Sequence, residues 1–150
     1  MYLIDTTYCS KIIAKNKALL TYLNNELSSS TYVATSVISQ GELTYMFEKS
    51  SRKEENKRKV LIFLDNIEIL PVDTKAAEIY GELKYNVVNK FGPKKRRADV
   101  SMEKIGISDN DLWIAAISIH LGLIVVSEDN DFQRIKQADS RLNFMVWPIQ

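Results

Sequence analysis

An α/β fold, with a short and mostly parallel sheet of about five strands covered by helices on both faces, is what this chain of 150 residues predicts. Short apolar runs alternate with longer segments of helical spacing from end to end, the pattern of strands joined by crossover helices. Runs such as Tyr2-Leu3-Ile4 and Leu123-Ile124-Val125-Val126 are apolar at successive positions, as in strands buried on both faces. The segment Leu112–Leu121 is apolar on nearly every side, broken only by Ser118 and His120, so it reads as a helix inside the domain. The length suits one domain spanning 1–150, large enough for a real core.

The elements follow in order. Tyr2-Leu3-Ile4 reads as a central strand ending at Asp5, with Thr6 and Thr7 placed to cap what comes next. Ile12, Ile13, Leu19, Leu20 and Leu23 recur at helical spacing, and Ser28-Ser29-Ser30 is a loop. Thr31–Thr35, branched and aromatic, is a second strand. A helix begins near Ser36 or Ser39 and carries Glu42, Leu43, Met46 and Phe47. The polar stretch Ser50–Lys59 leads into Val60, Leu61, Phe63 and Leu64, so this pair reads as an αα-hairpin with a solvated tip. Ile67–Leu70 is the third strand, ended by Pro71. Asp73 or Thr74 caps a helix with Ala76, Ala77, Ile79, Tyr80, Leu83 and Val87, which stops at Gly92-Pro93. Lys94-Lys95-Arg96-Arg97 opens an irregular stretch to Ile107. Ser108-Asp109-Asn110-Asp111 has the Ser-x-x-Asp form of a capping box and starts the buried helix, which Gly122 ends. The fourth strand is Leu123–Val126; Glu128, Asp129 and Asp131 follow it. A short helix takes in Phe132 and Ile135, and Phe144–Trp147 is a last strand closed by Pro148.

Composition narrows the chemistry. A net charge of +1 with 26% charged residues means that the signs nearly cancel, so local clusters decide whether nucleic acid is a partner. The single cysteine, Cys9, excludes an internal disulfide and a multi-cysteine zinc site. One histidine, His120, argues against a histidine-rich metal centre. No apolar run approaches the roughly 20 residues that span a bilayer, and the opening MYLIDTTYC lacks a basic region and a cleavable signal, so a cytoplasmic protein is expected.

In a parallel α/β unit the start of a helix and the end of the strand that follows it lie at one rim of the sheet, where ligands of such sheets bind. Asp111 falls in the first turn of the buried helix and Asp129 just past the fourth strand. Asp5 ends the first strand, and Glu42 lies in the early turns of the helix after the second. Taken singly, each has a plainer reading: Asp111 completes a capping box, Asp129 decorates a turn, Asp5 caps a helix and Glu42 faces solvent. Together they converge on one rim. Four carboxylates in one pocket repel unless a cation neutralises them. Oxygen-only donors select hard ions such as Mg²⁺ or Mn²⁺, which suit phosphodiester hydrolysis.

With those residues in view the chain resembles the PIN domain, and most closely the VapC-type toxin ribonucleases of toxin–antitoxin modules. MYLIDT is similar to the family's first strand with its terminal Asp, and Glu42 within VISQGELTYMF matches its second acid. NDLWIAA supplies the third acid, Asp111; VVSEDNDF resembles the family's Thr/Ser-x-Asp-x-x-Phe, with Ser127 as the hydroxyl and Asp129 as the fourth acid. The resemblance implies a three-layer α/β/α sandwich and a metal-dependent endoribonuclease. Asp5, Glu42, Asp111 and Asp129 would be its catalytic acids, and Asp5, Asp111 and Asp129 would hold Mg²⁺ or Mn²⁺. Thr6, Ser127, Asp109 and Asp131 are secondary candidates beside them. An RNA substrate, a homodimer and a small antitoxin lying across the cleft are implied as partners, with the hairpin at Ser36–Leu64 as part of the antitoxin's surface. Two departures stand out: Thr7 occupies a position that is often Asn in the family, and Gly92–Gly106 is longer and more basic than usual. Lys94, Lys95, Arg96 and Arg97 in that segment form a candidate RNA contact or a solvated surface run. A structure-specific DNA nuclease of related fold and a non-catalytic metal-binding interaction module remain open. Receiver domains and haloacid-dehalogenase-type phosphatases want further acids beside the first, which Asp5-Thr6-Thr7 lacks.

Overall fold

The computed structural model describes residues 1–28, 30–94 and 100–147. Among these residues the five strands are β1 (Tyr2–Ile4), β2 (Val33–Ser36), β3 (Glu68–Leu70), β4 (Ile124–Val126) and β5 (Phe144–Met145). They form one sheet in the order β3-β2-β1-β4-β5, and every pairing is parallel. Among the described residues eight helices surround it: α1 (Thr6–Ile13), α2 (Lys17–Glu26), α3 (Val37–Glu48), α4 (Lys53–Leu64), α5 (Thr74–Phe91), α6 (Met102–Ile105), α7 (Asp109–Leu121) and α8 (Asn130–Ala138). The predicted three-layer α/β/α architecture is the one observed.

Period-two side-chain alternation divides the interior into two cores. Leu3, Ala34 and Val125 point toward one face, where they pack with Ile79 and Leu83 of α5, Leu112 and Ala116 of α7, and Phe132 and Ile135 of α8. Ile4 and Val126 point the other way, into Tyr8 and Cys9 of α1, Leu19 of α2, Leu43 and Phe47 of α3, and Val60 and Leu64 of α4. Trp147 closes this second core edge-on to Tyr2 and Tyr8, at 5.6 and 5.4 Å between ring centroids.

Several boundaries differ from expectation. The helical run after Asp5 is two helices, because the chain breaks at Ala14–Asn16, where Lys15 adopts φ 55° and Asn16 caps α2 through Leu19 N–H. Asp5, not Thr6 or Thr7, caps α1. The second strand begins at Val33, two residues late, so that Ser36 ends it and caps α3. Much of the polar stretch thought to form the hairpin tip is itself α4. The segment before Ile107 contains α6, a single turn capped by Ser101. The last strand has only two residues, and Pro148 lies outside the described residues. Lys94 is exposed; Lys95, Arg96 and Arg97 also fall outside the described residues. Among the described residues no helix is long and apolar enough to cross a membrane.

Gly122 ends α7 with φ 65°, a left-handed conformation that strains any side chain. Gly41 sits inside α3 with open space where a Cβ would go. Opposite effects are therefore expected from one methyl group. Gly122→Ala should lower stability by about 1 kcal/mol, a fall in Tm of roughly 2–4 °C. Gly41→Ala should raise stability by roughly 0.5–1 kcal/mol. Thermal unfolding of the two variants beside the parent checks both signs.

Candidate active site

The strand order reverses direction between β1 and β4. Chain leaving β1 turns into α1 on one face, while chain leaving β4 turns into α8 on the other. The crevice between them is the place where open parallel sheets bind ligands. Ile4 pairs with Val126 across this junction, so Asp5 and Ser127 leave the sheet side by side. A pocket of about 400 Å³ opens there, lined by Asp5, Thr6, Thr7, Glu42, Tyr45, Met46, Ser108, Asp111, Ile114 and Asp129. All four expected acids line it.

Asp5 is buried and doubly engaged. Its Oδ1 accepts the Tyr8 N–H at 2.9 Å as the N-cap of α1, and its Oδ2 accepts from Ser127 Oγ at 2.5 Å. Burial raises its pKa above the usual carboxylate range, with hydrogen bonds from Ser127 and from the backbone of Tyr8 and Thr7 opposing that shift and Asp129 adding to it. Ser127 Oγ also accepts the Asp129 N–H at 2.9 Å, so one hydroxyl links two of the acids. Glu42, in the second turn of α3, is held at both oxygens. Thr6 Oγ1 donates to Oε2, and Asn110 Nδ2 donates to Oε1 at 2.7 Å. Thr6 thus supplies a side-chain hydrogen bond to Glu42, while Thr7 lines the pocket and contributes through its backbone to Asp5. Asn110 was not foreseen as a site residue; its place one residue before Asp111, in the first turn of α7, is the signal that points to it.

Asp111 is the exception to this pattern of engagement. The expected capping box is not closed by it: Ser108 Oγ accepts the Asn110 N–H, while the Ser108 N–H goes to Asp131 Oδ2 at 3.2 Å. Asp111 is left facing the pocket, and its carboxylate accepts no hydrogen bond from any described residue. Burial, followed by the charges of Asp129, Asp131, Glu42 and Asp5, pushes its pKa up to about 7. Asp111, Asp129 and Asp131 each present an oxygen within 4.8 Å of the others. Asp131 therefore joins the cluster more intimately than a flanking position suggests. Asp129 uses Oδ1 to accept the Asp131 N–H at 2.9 Å, as the N-cap of α8.

The other secondary candidate, Asp109, is drawn elsewhere. Its Oδ1 accepts from Tyr80 Oη at 2.6 Å and Lys84 Nζ at 2.9 Å on α5. Burial alone would raise its pKa, but those two donors hold it below the usual range. His120 pairs with Asp73 at 2.9 Å, at the start of α5. The Cys9 thiol is buried beside Thr35 and pushed up to about 12 by desolvation, so it is inert packing.

A site of this kind suits a hard divalent cation. Among the described residues its donors are carboxylate oxygens, they sit close together, and one of them lacks a compensating donor. Asp111, Asp129 and Asp131, with Asp5 beside them, are the residues that could hold it.

Proteins of similar sequence and fold belong to one family. The family model described as PIN domain matches residues 2–138. Ribonuclease VapC2 of Rickettsia felis is 33% identical over 138 residues, covering 90% of this chain and 92% of the relative. Ribonuclease VapC2 of Haemophilus influenzae is 29% identical over 135 residues, covering 89% and 91%. Among solved structures, Rickettsia felis VapBC2 bound to a DNA fragment from their promoter is similar with a TM-score of 0.77 at 28% identity, over 97% of this chain and 98% of that one.

The Asp111 shift carries a stability consequence. Its folded pKa of about 7 lies above the unfolded value of 3.8, so the folded state binds the proton more tightly. Without a cation, stability should therefore fall as pH rises from about 4 to about 7 and stay low above that. Asp111→Asn should be stabilising in chelator at pH 8, on the order of 2–4 kcal/mol, and nearly neutral near pH 4. Urea unfolding of both proteins at the two pH values measures the difference.

Proposed function

The chain belongs to the PIN-domain family, within its VapC ribonuclease branch, and from that premise we propose that it is the toxin of a toxin–antitoxin module, an endoribonuclease that hydrolyses RNA phosphodiester bonds. One observation carries the reading to this chain's own residues: the carboxylate pocket at the sheet's switch point, centred on the uncompensated Asp111. The catalytic acids in this reading are Asp5, Glu42, Asp111 and Asp129, and the ion is Mg²⁺ or Mn²⁺.

When bound, such an ion supplies neutralisation of the phosphodiester charge and makes water more acidic. The protein's part is to hold the acids ready. Asp111 carries a proton for much of the time at neutral pH and must release it as positive charge arrives. Ser127, donating to Asp5 and accepting from Asp129, keeps two ligands at a fixed spacing. Glu42, clamped by Thr6 and Asn110, is a rigid acceptor in the pocket and suits the orienting of water. The rim is open to an extended chain, and Tyr45 beside it is 65% exposed.

The likeness to VapBC2 supports a small antitoxin as partner. A groove of about 390 Å³ between α1, α3 and α4, lined by Ile13, Leu43, Phe47 and Val60, adjoins the exposed Met46 and suits an apolar helix of that partner. A homodimer and a cytoplasmic location, where RNA and antitoxin are both made, complete the reading.

RNA should be cut with Mn²⁺ and spared with chelator, while a duplex DNA of the same sequence should remain intact. Asp5→Asn should reduce the cleavage rate by more than about 100-fold, the upper end of what ligand-supporting groups alone cost. The fold should be retained, because the amide oxygen still caps the Tyr8 N–H. Cleavage of RNA by Asp5→Asn at the parent's rate would refute the assignment.

A further inference from the structure

Arg134 lies on α8, one turn past the acids, and has three acceptors. Its Nη1 donates to Gly106 O at 2.7 Å and its Nη2 to Ile105 O at 2.7 Å. The same Nη1 lies 3.5 Å from Asp131 Oδ1. The guanidinium stands over the Phe91 ring, 5.1 Å from its centroid, at the end of α5. One planar group thus touches the last residue of α6, the left-handed Gly106 that ends it, and the third member of the carboxylate cluster.

What those contacts hold is the spacing between two helix starts. Gly106 leads through the buried Ile107 to Ser108, the cap of α7, and so to Asp111. Ser108 N–H returns to Asp131 Oδ2. Asp131 is therefore gripped at one oxygen by the cap of α7 and approached at the other by Arg134. The chain around Gly106 has little regular structure of its own, since α6 is a single turn.

We propose that Arg134 is a positioning residue for the acidic pocket: it ties the 105–108 turn to α8 and so fixes the distance between Asp111 on α7 and the Asp129–Asp131 pair on α8. The inference rests on the reading that these acids hold a divalent cation. Its sign is diagnostic. As a nearby positive charge, Arg134 repels a cation, and on charge alone its removal would tighten binding. As a brace, its removal loosens the cluster and weakens binding. The contacts to the two carbonyls are shorter than the contact to Asp131, so the brace is the stronger role. Lysine keeps the charge but cannot span two carbonyls while stacking on a ring.

The experiment is Mn²⁺ titration by calorimetry on folded parent, Arg134→Gln, Arg134→Lys, Asp131→Asn and the double variant, with cleavage measured across Mn²⁺ concentrations. Arg134→Gln and Arg134→Lys should both bind Mn²⁺ about 10-fold more weakly, within the range of lost outer-shell partners. Cleavage by both should return toward the parent rate as Mn²⁺ is raised. The double variant should bind more weakly than Asp131→Asn, since the brace acts through the Ile105 and Gly106 carbonyls and survives loss of the Asp131 carboxylate. Arg134→Gln that binds Mn²⁺ as tightly as the parent, or tighter, while merely melting lower, overturns the proposal. So does restoration by lysine, which would assign the effect to charge. A parent that takes up no Mn²⁺ fails earlier, at the metal reading itself.

Discussion

Two full charges 4.8 Å apart, the outer limit of the Asp111–Asp129–Asp131 spacing, repel by about 3–4 kcal/mol at an effective dielectric near 20. A hydrogen bond to a charged group contributes about 1.5–3 kcal/mol in return. Asp129 and Asp131 have such donors, but Asp111 has none among the described residues, so its share of the crowding is not offset. Either one acid keeps its proton or a cation enters. The pKa of about 7 at Asp111 is the first solution, adopted when no ion is present. The total stability of a domain is about 5–15 kcal/mol, so such a site is tolerated only on a scaffold with stability to spare. Two apolar cores, one on each face of the sheet, provide it here.

Topology decides where the crowding falls. With every strand parallel, each helix that follows a strand starts at the same rim, and each of those starts wants an acceptor for its free N–H groups. Asp5 and Asp129 meet that need at α1 and α8. Capping and function, which looked like rival accounts of these residues, are one arrangement: the cap bond fixes the carboxylate, and the fixed carboxylate lines the pocket. Asp111 is the opposite case. It sits where a capping acid belongs, but the backbone N–H it could have taken is held by Asp131, twenty-odd residues away.

That reversal marks the boundary of what sequence could disclose. The α/β class, the five strands, the ends of α5 and α7 and the acids at the rim were legible, because each follows from local pattern: apolar period, cap residue, glycine stop. The break at Ala14–Asn16 was not, since neither glycine nor proline announces it and Lys15 takes the left-handed conformation unaided. Long-range hydrogen bonds were equally hidden. Thr6 and Asn110 meet Glu42 across 36 and 68 residues, and Asp109 turns to Tyr80 and Lys84 on a helix that no local signal connects with it. Asp109 and Asp131 are alike as flanking acids in the sequence, and only packing separates them.

The acids of the pocket consequently divide into two kinds. Asp5 and Glu42 have both oxygens occupied by donors, so their geometry is settled before any ligand arrives. Among the described residues Asp111 has none, and Asp129 spends a single oxygen on its cap. Positive charge is drawn to the place where negative charge is least compensated, and that place is the α7–α8 side of the crevice. Asp5, which the family resemblance implies as a metal ligand, lies beside that side of the crevice with both oxygens already accepting hydrogen bonds. Its Ser127 bond transmits that preparation directly to Asp129. On the proposed reading a cation would meet Asp5 and Glu42 already ordered, and release of the Asp111 proton would be the principal change that its binding demands.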